Sequence, residues 1–108
     1  MPDTRTDPAL FQEFRQVLGA RDPKTVAAYL TTMRDFAAWL AAQPGGAPLH
    51  IGLVTETAVR GYMDALQRSG RAPRTRSKAL SGLRRFCQWA VDEGYLRRNP
   101  VRLSVSRL

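Results

Sequence analysis

Arg74, Lys78, Ser81, Arg85 and Gln88 succeed one another at intervals of three and four residues. At 100° per residue they share one arc of a helix, flanked by Ser77 and Arg84. No carboxylate interrupts this strip before Asp92. A solvated helix face ordinarily mixes signs, because opposite charges at i,i+4 stabilise it. Here Arg74, Lys78 and Arg85 repel one another, and a partner that neutralises them would remove that cost. Arg and Gln can form paired hydrogen bonds with a base edge, and Ser can bond a base or a phosphate. The segment "RSGRAPRT" (68–75) places Arg68, Arg71, Arg74 and Thr75 where a helix starts, and outward-pointing amides there suit phosphate.

Charge along the whole chain agrees. Residues 1–54 hold five basic and five acidic side chains, whereas residues 55–108 hold twelve and four and so carry the entire net charge of +8. A field this one-sided favours a polyanion, nucleic acid foremost. A merely solvated basic surface is the alternative.

Catalytic chemistry finds no such support. His50 is the sole histidine, so a Ser–His–Asp set cannot be completed on this chain. Tyr29 and Tyr62 fall on apolar arcs, and Tyr95 comes just after a helix end. Cys87, the one cysteine, lies on an apolar arc as a small filler. No Cys/His cluster suits zinc and no glycine spacing suits a phosphate loop, so no cofactor and no metal is expected. No run nears the roughly 18 apolar residues of a membrane span, and the start "MPDTRTDPAL" lacks a secretory core. A cytoplasmic protein is expected.

The hydrophobic share of 44% is ordinary for one globular domain of 108 residues. The spacing predicts a first helix over about 8–18, capped by Asp7 and ended by Gly19, with Leu10, Phe11, Phe14, Val17 and Leu18 inward. A second runs from after Asp22 to about Gln43, with Val26, Tyr29, Leu30, Met33, Phe36, Ala37 and Leu40 as its apolar arc. "PGGAP" opens a loop to about residue 54. A third starts after Thr55, with Val54 and Val59 as a hydrophobic staple. A fourth spans about Pro73–Glu93. No segment alternates as a strand would, so the fold is all-α.

The second and fourth helices are versions of one pattern. "PKTVAAYLTTMRDFAAW" begins at Pro23 and "PRTRSKALSGLRRFCQW" begins fifty residues later, with Pro, Thr, Leu, Arg, Phe and Trp in register. Each copy is the longer helix of a helical hairpin, and two hairpins packed across each other share one core. Trp39 and Trp89 are assigned to packing between the pairs. The arc of the second helix that matches the cationic strip is Lys24, Ala28, Thr31, Asp35 and Ala38. It is small and nearly neutral, with Lys24 and Thr25 at its start and Arg21 just before.

Over about residues 8–100 the chain resembles the amino-terminal core-binding, SAM-like domain of tyrosine recombinases of the phage-integrase and Xer type. The resemblance rests on "KTVAAYLTTMRDFAAWL", "LVTETAVRGYMDAL" and, most specifically, "APRTRSKALSGLRRFCQWAVDEGYLRRNP". It implies a four-helix bundle of two crossed helical hairpins, forming half of a clamp on double-stranded DNA during integration or recombination. The second and fourth helices would face the major groove. Arg74, Lys78, Ser81, Arg85 and Gln88 would then meet the groove, with Lys24, Thr25, Arg68, Arg71, Thr75, Ser77 and Arg84 on or near phosphates. Residues 1–7 are expected as a flexible terminus, 8–98 as the DNA-binding domain and 99–108 as a linker toward a catalytic domain. The chain by itself is then no enzyme, monomeric alone and oligomeric on DNA within its parent. The alternative is a helical protein-interaction module docking an acidic partner through the same face.

Overall fold

The computed structural model describes residues 7–19, 21–46 and 50–101. They form four α-helices and, among the described residues, no β-strand: α1 (Asp7–Leu18), α2 (Pro23–Ala41), α3 (Glu56–Arg68) and α4 (Pro73–Asp92). The expected flexible terminus lies outside the described residues except for Asp7, the first residue of α1.

Local chemistry accounts for the boundaries. The Asp22 carboxylate accepts from the Thr25 N–H at 3.3 Å, and Pro23 fills the first helical position, where no amide is needed. α2 ends at Ala41, two residues short of the expected Gln43, whose side-chain amide instead donates to the Trp39 carbonyl at 2.9 Å. The Thr55 hydroxyl accepts from the Ala58 N–H at 3.1 Å, and Val54 and Val59 are both buried beside it. Gly70 and Gly94 turn the chain out of α3 and α4 with φ of +81° and +82°, a conformation that costs other residues a Cβ clash.

Two expectations need correcting. Val17, expected in the core, is 47% exposed. It stands at the rim of the arc that Leu10, Phe11, Phe14 and Leu18 define, and those four bury without it. The connection before α3 is more than a plain loop. It holds a 3-10 turn (Ile51–Leu53) in which His50 Nδ1 accepts from the Gly52 N–H at 3.2 Å, and Ile51 and Val54 enter the core.

The fifty-residue repeat becomes a packing relation. Phe36 and Phe86, equivalent in the two copies, are both fully buried, and each meets an aromatic ring of the other hairpin edge to face. Phe36 packs on Tyr62 of α3 at 5.2 Å, and Phe86 on Phe14 of α1 at 5.2 Å. The tryptophans pack in the same way, as expected: Trp39 lies over Phe36 and Tyr62, and Trp89 among Phe14, Phe86 and Tyr95. α2 and α4 have the most extensive helix–helix contact. There a Cβ on Gly82 would lie 3.1 Å from Thr32 Cβ, and Thr32 and Gly82 are themselves fifty residues apart. Both copies thus meet at the same repeat position.

The chain does not leave the bundle at residue 98. Asn99, Pro100 and Val101 are buried, so the first residues of the expected linker belong to the packed domain, while residues 102–108 lie outside the described residues.

A larger side chain at the crossing should push α2 and α4 apart. Gly82→Leu is expected to cost about 1–3 kcal/mol from overpacking, read as a lowered midpoint in urea with unchanged slope. Burial pushes the Cys87 thiol up to about 12 from an ordinary 9.0. The native state therefore keeps a proton that the unfolded chain loses, and this part of the stability is complete below pH 9 and falls as pH rises toward 12. In thermal melts across that window, the Tm of the wild type should fall more steeply with pH than that of Cys87→Ala.

Candidate nucleic-acid interface

α2 and α4 leave a groove between their outer faces. Lys24, Thr25, Ala28 and Tyr29 line it from α2, and Arg74, Ser77, Lys78 and Ser81 from α4, around a volume of about 410 Å³. A second groove of about 340 Å³ continues it toward α3, with Asp35, Tyr62, Arg71 and Thr75 on its walls. Ala28 and Lys78 border both, so the two form one surface.

Eight of the expected site residues come together here. Lys24, Arg74, Thr75, Ser77, Lys78, Ser81 and Arg71 are exposed, and Thr25 is half-buried with its hydroxyl 3.4 Å from Asp22 Oδ2. The small Ala28 and Thr31 on the α2 side leave room for a partner to approach.

Four expected residues are not part of it. Arg68 in the last turn of α3 and Arg84 are exposed but line neither groove. Arg85 is half-buried and its Nε is enclosed without a hydrogen-bond partner, so its side chain lies partly against the bundle. Gln88 is engaged within the protein: its Nε2 donates to Asp92 at 3.1 Å, and its Oε1 lies 3.5 Å from Asn99 Nδ2. A helical wheel puts both on the cationic arc. It does not show that residues 99–101 return against the carboxyl-terminal half of α4. Arg21, just before the start of α2, lines a different groove with Arg15 and Arg34 between α1 and α2.

The helix starts differ in a way that bears on anions. The amide end of α2 is already met by the Asp22 carboxylate, whereas Ala72 gives α4 no side-chain cap. The first amides of α4, flanked by Arg71 and Arg74, therefore keep their capacity to bind an anion. Tyr29 and Asp35 are among the residues of this surface that lie outside the expected set. Tyr29 belongs to the apolar arc by spacing, yet it is half-buried and reaches the groove. Asp35 accepts a short hydrogen bond from the Tyr62 hydroxyl across 27 residues, a separation at which no local spacing gives a signal. Burial first, then the bond to Asp35, push the Tyr62 phenol far above its usual range, while Arg71 pulls the other way.

Among the described residues no group of three His, Cys, Asp or Glu could hold a metal ion, and no helix is long and apolar enough to cross a membrane.

A family model described as phage integrase, N-terminal SAM-like domain, matches residues 10–94. The chain belongs to that family. It is also 30% identical over 95 residues to the tyrosine recombinase XerC of Lacticaseibacillus casei strain BL23 and to that of Lacticaseibacillus paracasei strain ATCC 334. Those alignments cover 88% of this chain and 31% of each relative, so the chain spans about a third of their length. No solved structure matches.

Asn99 ties the carboxyl-terminal end of the integrase-type domain to α4. Its Nδ2 donates to the Arg84 carbonyl at 3.1 Å, and its Oδ1 accepts from the Val101 N–H at 3.0 Å. At 6% exposure, neither bond is readily replaced by water. Asn99→Ala should cost about 1–3 kcal/mol, chiefly through the buried Val101 N–H left without its acceptor. It should also raise amide exchange at Val101 while leaving α2 protected, which hydrogen-exchange mass spectrometry would read.

Proposed function

We propose that this chain is the DNA-binding domain of a site-specific tyrosine recombinase, one half of a clamp on double-stranded DNA, acting in DNA integration or recombination. The observation that carries the reading is the groove between α2 and α4, where Lys24, Arg74 and Lys78 surround small and hydroxyl side chains. Arg71, Arg74, Lys24 and the uncapped start of α4 are assigned to phosphates. Ser77, Lys78 and Ser81, along the groove wall, are assigned to base edges or to the phosphates beside them. Phosphate contacts place the domain on the duplex, and base contacts choose the site. In this reading the cutting and joining chemistry belongs to a catalytic domain of the parent recombinase. The helical domain contributes affinity and selectivity, and protomers assemble on the DNA. Membership of the integrase family and the likeness to two XerC recombinases support the assignment.

Gel shifts on random and inverted-repeat duplexes at low salt test it. With about five phosphates neutralised, log affinity should fall against log salt with a slope of about −4 to −5. Arg74→Glu combined with Lys78→Glu, both exposed and so replaceable without repacking, should weaken binding about a hundredfold or more at unchanged helicity. Undiminished binding by that variant would remove the groove from the interface. Retention of an acidic protein with no affinity for any duplex would instead favour the protein-docking module.

A further inference from the structure

Asp35 is the one carboxylate among the residues lining the α2–α4 surface. A negative charge beside a DNA backbone lowers affinity, so its position there calls for a different role. Packing does not demand it, because Asp35 is exposed. Nor does it neutralise its neighbours: Lys78 and Arg71 border the same groove, yet Asp35 forms no ion pair among the described residues.

Its geometry is nevertheless held. The Tyr62 hydroxyl donates to Asp35 Oδ2, and the Tyr62 ring is 3% exposed, wedged between Phe36 and Trp39 at 5.2 and 5.8 Å. A core tyrosine from α3 thus anchors a surface carboxylate on α2. Asp35 Oδ1 accepts no hydrogen bond among the described residues. The result is an oriented acceptor on the edge of a groove, without a donor of its own.

In the major groove of a duplex, the hydrogen-bond donors on base edges are the N6 amino group of adenine and the N4 amino group of cytosine. Adenine carries the N7 acceptor beside its amino group, and a carboxylate would face that lone pair as well. Cytosine presents its amino group without an adjoining acceptor on the same base. Resting on the DNA-binding reading, we propose that Asp35 is a specificity-determining residue that accepts a hydrogen bond from the 4-amino group of a cytosine, held in position by Tyr62. The carboxylate then gives up some general affinity for DNA in return for discrimination between bases.

Selection from a random duplex library at low salt, using the whole 108-residue chain and its variants, tests this. The wild type should enrich cytosine at one position by about tenfold over the other bases. Asp35→Asn keeps an acceptor for Tyr62 and so the fold, which circular dichroism would verify. With its oxygen held by Tyr62, the amide turns an NH2 donor toward the groove in place of Oδ1, so this variant should lose cytosine at that one position in favour of bases that present a major-groove acceptor there, and leave the other positions unchanged. Asp35→Ala should lose the preference there while binding duplexes in general as tightly or more tightly. Tyr62→Phe should blur the preference a few-fold. Identical base preferences in the wild type and Asp35→Asn would overturn the proposal and leave Asp35 as a tie between α2 and α3. Failure of the wild type to bind any duplex would overturn the DNA-binding reading itself, a different result from bound DNA with unaltered preference.

Discussion

The close approach of α2 and α4 at Thr32 and Gly82 is the constraint on which the rest of the molecule depends. A helix interior ordinarily disfavours glycine by about 1 kcal/mol relative to alanine. At Gly82 the missing side chain lets two long helices meet with no room for even a methyl group unless Thr32 gives way. That contact fixes where each helix presents its outer face, and so sets the width of the groove. Aromatic pairs on either side then hold the arrangement. Phe36 and Trp39 reach to α3, Phe86 and Trp89 to α1, and each hairpin is closed by rings of the other.

Duplication of the packing pattern does not extend to charge. The two long helices are equivalent where they face the core and different where they face outward. The start of α2 is neutralised internally by Asp22, and its outer face is small. The start of α4 is open and leads directly into Arg74 and Lys78. The charge of the shared surface therefore comes mainly from Arg71, Arg74 and Lys78, with Lys24 the one cation that α2 adds to it.

Most of the fold was legible in the sequence because its determinants are local. Helix starts at Asp22 and Thr55, the stop at Gly19, and apolar residues every three or four positions each act over a few residues. The cationic strip was visible for the same reason, and Arg74, Lys78 and Ser81 stand where the wheel puts them. What stayed hidden depends on chain segments far apart. Gln88 is withdrawn by Asn99 and Asp92, Arg85 is partly covered, and Asp35 is oriented by a tyrosine from another helix. Val17 shows a related limit: a wheel gives an arc, but only the neighbouring helix decides how wide an arc it will cover.

The docking of Asn99 on the Arg84 carbonyl gives the carboxyl-terminal end of the domain a definite heading. A chain that peeled away at Gly94 would swivel freely, and its point of departure would wander by many ångströms. Because Asn99, Pro100 and Val101 are pinned to the same helix that carries Arg74 and Lys78, any rotation of α4 turns this exit with it. The two ends of α4 are thereby coupled: the cationic first turns and the docked residues 99–101 belong to one packed unit.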